Sequence, residues 1–542
     1  MLAQRFGFSR WRCDTLDWGI AMKSVILVLL AGPVAAVAAG APCESLAAAK
    51  LAHTTISVAE VRAAGTPFQA RGIRPINGLP SFCRVAGVIA PTPDSDIKFE
   101  VWLPTTDWNG KFHGVGNGGY AGVISFAGLS DAVKNHYATA STDTGHEAGG
   151  TDAGWALNHP EKIADFGYRG IHETAVVAKA LINAFYGEAP KRSYFNSCSN
   201  GGRQALMEAQ RYPEDYDGIL AGAPANYWTH LLSSAGSGVK ALLSEAESYI
   251  PQSKLPAIQA AALEQCDAKD GVKDGVIENP LACKFDPSVL LCKGADSDSC
   301  LTTHQMAALK SIQSGLVDGK GKQIFPALSP GGEAEPGGWG PWITGEQREK
   351  SQMFAFGTQF FKNMVYSDPN WNYKTFDPDR DVKAADDKLA KVLNSTDPDL
   401  SAFAKRGGKL ILYHGWADAA IPAVNAIHYY DSVVSKMGAA KAAEFVRLYM
   451  VPGMQHCGGG AGPNVFGQAG TPSGDPSRNI DAALEAWVEK GSAPGSIVAT
   501  KFKGNDPKNG VERTRPLCVW PQTAKYKGSG STDEAGSFSC SR

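Results

Sequence analysis

The stretch 192–213, RSYFNSCSNGGRQALMEAQRYP, has the pattern of a strand, a sharp turn and a helix. Its strand-like part ends at Cys198, Ser199 follows, and two glycines stand immediately before the helical periodicity. A serine at the start of a helix meets backbone N–H groups that favour negative charge. Ser199 is therefore a candidate nucleophile, and the alternative is a serine that only caps the helix.

Outward from this stretch, strand-like and helix-like segments alternate along the chain. The strand-like segments are IKFEVWLP at 97–104, KFHGVG at 111–116, YATAST at 137–142, YDGILAG at 216–222, KLILYHG at 409–415 and FVRLYMV at 445–451. Such alternation predicts a mostly parallel sheet covered by helices on both faces. With a serine turn of the G-x-S-x-G kind, in which Ser197 replaces the first glycine, it predicts an α/β-hydrolase core.

A segment of different character interrupts the alternation at residues 226–400. It contains four cysteines, an Asp- and Gly-rich run, the stretch FPALSPGGEAEPGGWGPW and an aromatic-rich part after residue 352. We expect it to form a cap, or lid, inserted between two core strands. The predicted organisation is an N-terminal extension with a signal peptide (1–40), a first core part (41–225), the cap (226–400) and a second core part (401–542).

The N-terminal region carries a segment typical of export. From Met22, a lysine is followed by an apolar run and then small residues, MKSVILVLLAGPVAAVAAG, as in a secretory signal peptide. The true start is either Met1 or Met22, and the run is short for a membrane span. The sequence predicts a secreted or periplasmic protein without a membrane anchor.

Charge and cysteine content agree with an exported protein. The net charge is −2, from 52 Lys and Arg against 54 Asp and Glu, which argues against nucleic acid as a partner. Eleven cysteines are present, and ten remain when Cys13 is removed with the leader. Spacing suggests the pairs 43–83, 266–283, 292–300 and 518–540, which leaves Cys198 and Cys457 only each other.

A nucleophilic serine needs a base and an orienting carboxylate, which follow it in this fold class in the order acid, then histidine. His456 follows a strand in the glycine-rich loop PGMQHCGGG, whereas His414 could equally cap a strand end and His428 falls on a predicted helix. Asp418 lies just beyond the strand 409–415, where such sheets present their sites. The alternative for Asp418 is capping of the next helix. The other histidines after Ser199 are His230 and His304.

The cysteines connect these candidates. A disulfide needs Cα atoms within about 6 Å, so a bond between Cys198 and Cys457 would bring Ser199 and His456 together. An oxyanion hole would use the N–H of Asn200 and a second N–H after the strand KFHGV, from Asn117 or Gly116. An ordinary glycine turn is the alternative for this second segment.

The arrangement Cys-Ser, Asp, His-Cys, in CSNGG, HGWAD and GMQHC, resembles the tannase and feruloyl esterase family. The likeness extends from FCRVAG at 82–87 through GNGGYAG, TDTGH and YDGILAGAPA to RTRPLCVWP at 513–521. The resemblance implies a carboxylic ester hydrolase with Ser199 as nucleophile, Asp418 as orienting acid and His456 as base. It also implies a disulfide between Cys198 and Cys457 that supports the site, and no organic cofactor.

The segment CDAKDGVKDGVIENPLAC at 266–283 is a candidate calcium loop. Its spacing is not that of an EF-hand, and a solvated acidic turn balanced by lysines is the alternative. The resemblance implies a structural Ca²⁺ held by Asp267, Asp270 and Asp274 and by the backbone carbonyls of Val272 and Val276. A disulfide between Cys266 and Cys283 would close the loop.

The substrate is expected to be a small aromatic ester or a polysaccharide that bears phenolic esters. Six aromatic residues of the cap are candidates to contact it, and Phe354, Phe360 and Phe361 are favoured among Phe354, Phe356, Phe360, Phe361, Tyr366 and Trp371. Within the family we favour feruloyl esterase activity over tannase activity. Mono(2-hydroxyethyl) terephthalate hydrolase activity is disfavoured because the aromatic stretch FAFGTQFFKNMVY has no arginine to hold a free carboxylate. A non-catalytic, calcium-dependent binding protein is the alternative of another class.

Overall fold

The computed structural model describes residues 40–70, 72–470 and 474–542. The expected signal peptide lies outside the described residues. None of the helices in the described part of the chain is long and apolar enough to cross a membrane.

A nine-stranded sheet forms the centre of the protein. Its strands are β1 (Thr54–Arg62), β2 (Phe82–Ile89), β3 (Ile97–Pro104), β4 (Lys111–Val115), β5 (Ala138–Thr142), β6 (Arg192–Cys198), β7 (Gly218–Gly222), β10 (Lys409–Gly415) and β11 (Val446–Val451). The short strands β8 (Leu316–Val317) and β9 (Gln323–Phe325) pair separately.

The order of the strands across the sheet is β1-β2-β3-β5-β4-β6-β7-β10-β11. The six strands from β5 to β11 in this order are parallel, whereas β1, β2 and β3 are antiparallel to their neighbours. The carboxyl ends of β4, β6, β10 and β11 therefore lie at the same edge, where sites form in such sheets. The predicted class, an α/β-hydrolase core with a mostly parallel sheet, is confirmed.

Helices cover both faces of this sheet, as buried parallel strands require. One apolar core includes residues of α3 (Gly170–Tyr186), α4 (Asn200–Arg211), α10 (Ser401–Lys405) and α11 (Val424–Met437). The opposite core includes residues of α1 (Phe126–Lys134) and α13 (Ile480–Lys490). The short helices α2 (Pro160–Ala164) and α12 (Ala439–Ala443) lie in connections.

Between β7 and β10, which are neighbours in the sheet, the chain makes a long excursion. We call residues 226–400 of it the insertion. It contains α5 (Trp228–Leu243), α6 (Leu255–Cys266), α7 (Thr303–Gln313), α8 (Gln352–Gln359), α9 (Pro378–Leu393) and the pair β8–β9. Two further apolar clusters, on different parts of α5, hold these elements together.

The C-terminal region adds two small antiparallel sheets to the core. They consist of β12 (Ile497–Phe502) with β13 (Val511–Leu517), and of β14 (Thr523–Tyr526) with β15 (Phe538–Ser541).

Five disulfides are formed among the described residues, with Cα–Cα distances from 4.9 to 6.0 Å. They join Cys43 to Cys83, Cys198 to Cys457, Cys266 to Cys283, Cys292 to Cys300 and Cys518 to Cys540. The pairings expected from the sequence are therefore confirmed.

Candidate active site

Ser199 occupies a strained turn between β6 and α4. Its φ is +68° and its ψ is −127°, a conformation that costs a residue with a side chain about 1–3 kcal/mol. Hydrogen bonds hold this turn: the Ser199 N–H donates to Gly222 O at 2.9 Å, and the Ser199 carbonyl accepts from the N–H of Arg203 and of Ala225 at 3.1 Å each. The strain is thus fixed by the neighbouring strand and helix.

The two glycines after Ser199 are required by close packing. A Cβ on Gly201 would lie 1.8 Å from the Ser197 hydroxyl, and one on Gly202 would lie 2.3 Å from the carbonyl oxygen of Gly222. Since a real Cβ cannot approach so closely, α4 can begin at this point only with glycines.

Asp418 lies in the turn that follows β10 and is fully buried. Its Oδ1 accepts the N–H of Ala420 at 2.8 Å and of Ile421 at 2.9 Å, so it also caps this turn. Its Oδ2 accepts from His456 Nδ1 at 2.8 Å and from His414 Nε2 at 3.1 Å. Burial opposes its ionisation, but the charge of His456 and the hydrogen bonds from both histidines outweigh burial and hold the pKa of Asp418 well below its ordinary value.

The two histidines bound to Asp418 differ in access. His414 is completely buried, and its Nε2 also donates to the Ile421 carbonyl at 3.1 Å, so it cannot act as a base on substrate. The His456 side chain is 11% exposed and its ring lies 5.1 Å from that of Trp342. With Nδ1 bound to Asp418, Nε2 is the nitrogen of His456 that remains to accept a proton.

The remaining candidate histidines lie elsewhere. His230 pairs with Asp386, at 2.9 Å, within the insertion, and His304 and His428 are exposed helix residues. The disulfide between Cys198 and Cys457, with Cα atoms 6.0 Å apart, joins the residue before Ser199 to the residue after His456. The structure thus brings Ser199, His456 and Asp418 together at the carboxyl edge of the sheet.

The glycine-rich loop after β4 lies against the start of α4. The sequence analysis expected the N–H of Asn117 or Gly116 in this loop to contribute to the oxyanion hole, but the Asn117 N–H has another acceptor. The Asn117 N–H donates to Gln204 Oε1 at 3.1 Å, and Asn117 Oδ1 accepts from Gln204 Nε2 at 2.7 Å. A Cβ on Gly116 would lie 2.6 Å from that Oε1 atom, so Gly116 also faces α4. The Asn117 N–H is therefore engaged by α4, and Gly116 packs closely against the same helix.

Gly119 is the residue of this loop that reaches the site, and the sequence analysis did not name it. It lines the cavity together with Ser199 and Asn200. No described residue accepts a hydrogen bond from its N–H. The main-chain N–H groups of Asn200 and Gly119 are therefore the pair available to a negative oxygen beside Ser199.

An apolar cavity opens beside Ser199 between the core and the insertion. The insertion lines it mainly with one face of α5, which its helical spacing makes recognisable in the sequence. The end of α7, residues 340–344, α8 and the segment that follows β9 complete the lining from the insertion. The lining side chains include Trp228, Leu231, Ala235, Ile312, Leu328, Trp342, Met353 and Phe356. None of the described residues that line the cavity carries a charged side chain.

Of the aromatic residues proposed from the sequence, Phe356 lines this cavity, whereas the three favoured ones do not. Phe360 and Phe361 are completely buried in the core of the insertion, where Phe361 stacks on Trp371. Phe354 packs against Tyr373. Phe356 lines the cavity instead, in contact with Tyr120 and Trp342.

The candidate calcium loop encloses a small polar space. Asp270, Val272, Asp274 and Val276 line it together with Glu278, which the sequence analysis did not name. Asp267 instead holds the loop, because its two carboxylate oxygens accept the N–H of Asp274 at 3.2 Å and of Gly275 at 2.9 Å.

Three carboxyl groups and the guanidinium of Arg515 line this space. Burial, with neighbouring carboxylates, raises the pKa of Asp270, and burial raises the pKa of Glu278 to about 8. Asp274 is paired with Arg513 at 3.0 Å and with Arg515. Clustered carboxylates with adjacent carbonyls are the ligand types that Ca²⁺ prefers, so the donor set fits this ion.

Comparison with known proteins agrees with these features. The family described as tannase and feruloyl esterase matches residues 83–541. An uncharacterized esterase of Xanthomonas campestris pv. campestris is 44% identical over 527 residues, covering 93% of this chain and 91% of that protein. A probable feruloyl esterase B-2 of Aspergillus terreus is 36% identical over 464 residues, covering 84% of this chain and 86% of that protein.

A solved structure has the same fold. The crystal structure of feruloyl esterase B from Aspergillus oryzae has a TM-score of 0.85 and 30% identity, with 92% of this chain and 99% of that chain covered. The sequence match spans the elements that carry Ser199, Asp418 and His456, and the structural match spans nearly the whole chain. The chain therefore belongs to the tannase and feruloyl esterase family.

Proposed function

We propose that the protein is a serine carboxylic ester hydrolase that cleaves esters of hydroxycinnamic, feruloyl-type acids through an acyl-enzyme on Ser199. The observation that carries this proposal is the disulfide from Cys198 to Cys457, which joins a strained serine turn to a histidine bound to a buried, ionised aspartate. That arrangement supplies a nucleophile, a base and an orienting acid.

The proposed reaction is an acyl transfer in two halves. His456 Nε2 takes the proton of the Ser199 hydroxyl as the oxygen attacks the ester carbonyl, and then gives it to the leaving alcohol. Water repeats these steps on the acyl-enzyme and releases the acid. Asp418 holds the His456 ring and stabilises its positive charge, and no organic cofactor takes part.

The proposed oxyanion hole consists of the N–H groups of Asn200 and Gly119. Both residues line the cavity beside Ser199, and Asn200 is the first residue of α4, where the helix N-terminus also favours negative charge. Hydrogen bonds aimed at an oxygen that becomes negative only during the reaction lower the barrier. Asn117 and Gly116 are assigned the supporting role of holding this loop against α4.

The character of the cavity supports an uncharged aromatic acyl group. Its walls are aromatic and aliphatic, and three serine hydroxyls, of Ser234, Ser237 and Ser311, offer hydrogen bonds to a phenolic or methoxy oxygen. A free carboxylate, as in mono(2-hydroxyethyl) terephthalate, meets no charged partner among the described lining residues. A galloyl ester, with three ring hydroxyls to satisfy, is the second candidate within the family.

The experiment that tests this proposal compares initial rates on methyl ferulate, methyl gallate and mono(2-hydroxyethyl) terephthalate. We expect the highest kcat/KM with methyl ferulate, and no turnover above background for Ser199→Ala with any ester. A preference for methyl gallate would mean that galloyl esters are the substrate class, and the proposed mechanism would be unchanged. Equal rates in Ser199→Ala and the parent protein would overturn the function.

We further propose that the loop 266–283 binds a structural Ca²⁺ through Asp270, Asp274 and the carbonyls of Val272 and Val276, with Asp267 holding the loop. Bound there, the ion would neutralise the clustered carboxylates. A chelator should lower the Tm, and added Ca²⁺ should restore it in a concentration-dependent way. Asp270→Asn should weaken this response, and an unchanged Tm under chelation would contradict the site.

Secretion is also proposed. Five disulfides suit an oxidising compartment, and the segment from Met22 has the pattern of a cleavable signal. A substrate outside the cytoplasm would be a small aromatic ester or a polysaccharide bearing such esters. N-terminal sequencing of the exported protein should find a new terminus near residue 40, and the full leader on exported protein would contradict cleavage.

A further inference from the structure

Arg203 is a completely buried arginine on the helix that carries the nucleophile turn. It lies one helical turn after Ser199, and its exposed fraction is 0%. Its guanidinium donates to four neutral oxygens: Asn200 Oδ1 at 2.8 Å and the carbonyls of Gly167 at 2.7 Å, Phe166 at 3.0 Å and Leu393 at 3.2 Å. Every one of these acceptors is uncharged.

The positive charge of Arg203 has no counter-ion in the part of the chain that the structure describes. The rings of Phe166 and Trp228 also lie against the guanidinium, with their centroids 4.7 and 5.3 Å from Cζ. Burial lowers the pKa of Arg203 to about 9, so the group still carries its proton at neutral pH. By contrast, the less buried Arg84 of the same core has Glu100 at 2.5 Å.

A buried cation without an anion is costly, and its retention calls for a reason. An anion does arise at the site during the proposed reaction, on the carbonyl oxygen of the ester. The Asn200 N–H is assigned to that oxygen, and Arg203 is hydrogen-bonded to the side chain of the same asparagine. Asn200 Nδ2 in turn lies 3.5 Å from the carbonyl oxygen of Asn117, in the loop that presents Gly119.

We propose that Arg203 is a positioning residue for the oxyanion hole, whose buried charge is complementary to the tetrahedral oxyanion and not to the neutral ester. It holds Asn200 between α4 and the glycine-rich loop, and its field favours the charged state over the ground state. This inference rests on the proposed role of Ser199. It makes the oxyanion, formed only during turnover, the counter-ion that the described residues do not supply.

Two substitutions separate charge from packing. Arg203→Lys keeps a positive charge but loses most of the hydrogen-bond fork, and Arg203→Met loses both. The number of functional active sites is measured by labelling Ser199 with a fluorophosphonate. The constants kcat and KM are measured with methyl ferulate. The affinity of each variant is then measured for an aryl boronic acid, which forms a tetrahedral anion on serine.

For Arg203→Met we expect a loss of about 100-fold in kcat per labelled site, as for removal of an oxyanion donor, and a similar loss of boronate affinity. For Arg203→Lys we expect a loss of about 10-fold in both quantities because the charge is retained. KM should change little in either variant. Equal losses in the two variants, or losses only in the number of labelled sites, would assign Arg203 a structural role alone.

Asn200→Asp is the second test and remains available where Arg203→Met does not fold. It places a carboxylate 2.8 Å from Arg203 Nε, on a side chain of the same shape. The new ion pair should raise the Tm while kcat falls by about 10-fold or more. A parent-like kcat in this variant would contradict the inference.

The outcomes distinguish the inference from the function on which it rests. If the parent protein hydrolyses no ester and is not labelled at Ser199, both the proposed function and the proposed role of Arg203 are contradicted. A parent protein that is active and labelled, with an Arg203→Met variant of unchanged kcat and boronate affinity, would remove the inference alone.

Discussion

The cavity beside Ser199 has two walls of different character, one from the core and one from the insertion. The core wall presents polar atoms that a strained turn, a disulfide and buried hydrogen bonds hold in place. The wall from the insertion presents aromatic and aliphatic side chains and no charged group among its described residues. The difference indicates that the core supplies the chemistry and the insertion supplies the selection among esters.

The largest effect should come from the carboxylate behind the core wall. Asp418→Asn keeps an oxygen for the N–H groups of Ala420 and Ile421 but loses the negative charge that stabilises His456. We expect kcat to fall by about 10⁴-fold on every ester, large or small, as when the acid of such a triad is neutralised. A loss confined to bulky aromatic esters would contradict the separation of the two walls.

The disulfide at the core wall should rank next. Cys198→Ala with Cys457→Ala frees the His456 loop, and a displacement of about 1 Å at a catalytic group costs about 100-fold in rate. The matched control is Cys292→Ala with Cys300→Ala, which removes a disulfide of the insertion. We expect the Cys198→Ala, Cys457→Ala variant to remain folded, as measured by circular dichroism, but to have a reduced kcat. The control variant should keep the kcat of the parent protein. Parent activity in the first variant would contradict the claim that this disulfide holds His456 in place.

A pair of phenylalanines tests the other wall. Phe356→Ala should reduce kcat/KM for methyl ferulate by about tenfold, in line with the roughly 1.5–3 kcal/mol gained when a phenylalanine contact is buried. The rate on p-nitrophenyl acetate, which has a small acyl group, should change little. Phe360→Ala should instead destabilise the fold by about 3–5 kcal/mol without changing the ratio of the two rates, and a changed ratio in this variant would place Phe360 at the substrate.

The smallest expected effect is on the pH dependence of stability, at the contact between the insertion and the core. Glu333, in the insertion, is buried next to Gly332, whose carbonyl accepts from Gln455 Nε2 at 2.7 Å. Burial raises the pKa of Glu333 from 4.5 to about 7. Because the folded pKa is higher than the unfolded one, stability from the protonated form is complete below pH 4.5 and is lost as the pH rises towards 7.

Glu333→Gln should therefore weaken the decrease of Tm between pH 4.5 and pH 7. Glu335→Gln, on the same segment, is the matched control and should leave the pH profile of Tm as it is in the parent protein. Identical profiles for Glu333→Gln and the parent would show that Glu333 does not titrate in this window.

Much of the core wall could be predicted from the sequence. Strand-end positions of Ser199, Asp418 and His456 follow from the parallel-sheet pattern, because the loops at the carboxyl ends of parallel strands converge. The cysteine pairs follow from spacing and an even count. The sequence could not show that the Asn117 N–H is engaged, because its direction depends on Gln204, a contact between distant segments that no local pattern reveals.

The wall from the insertion was harder to predict. Phe360 and Phe361 follow Phe356 by four and five residues, a spacing that would place them near its face of a regular α-helix. However, α8 ends at Gln359 and residues 360–365 form a π-helix. The wider turn breaks the period of 3.6 residues, so spacing along the helix no longer tells which aromatic ring faces the cavity. Arg203 was not singled out either, since its significance lies in the absence of an acidic neighbour in three dimensions.

The central claim is that Ser199 carries the acyl group of an aromatic ester during turnover. The most direct measurement is acid quenching of the protein during steady-state hydrolysis of methyl ferulate, followed by mass spectrometry of its peptides. The account predicts a feruloyl adduct on the peptide that contains Ser199, and no adduct in Ser199→Ala. Hydrolysis that continues in Ser199→Ala, or an adduct on another residue, would contradict it.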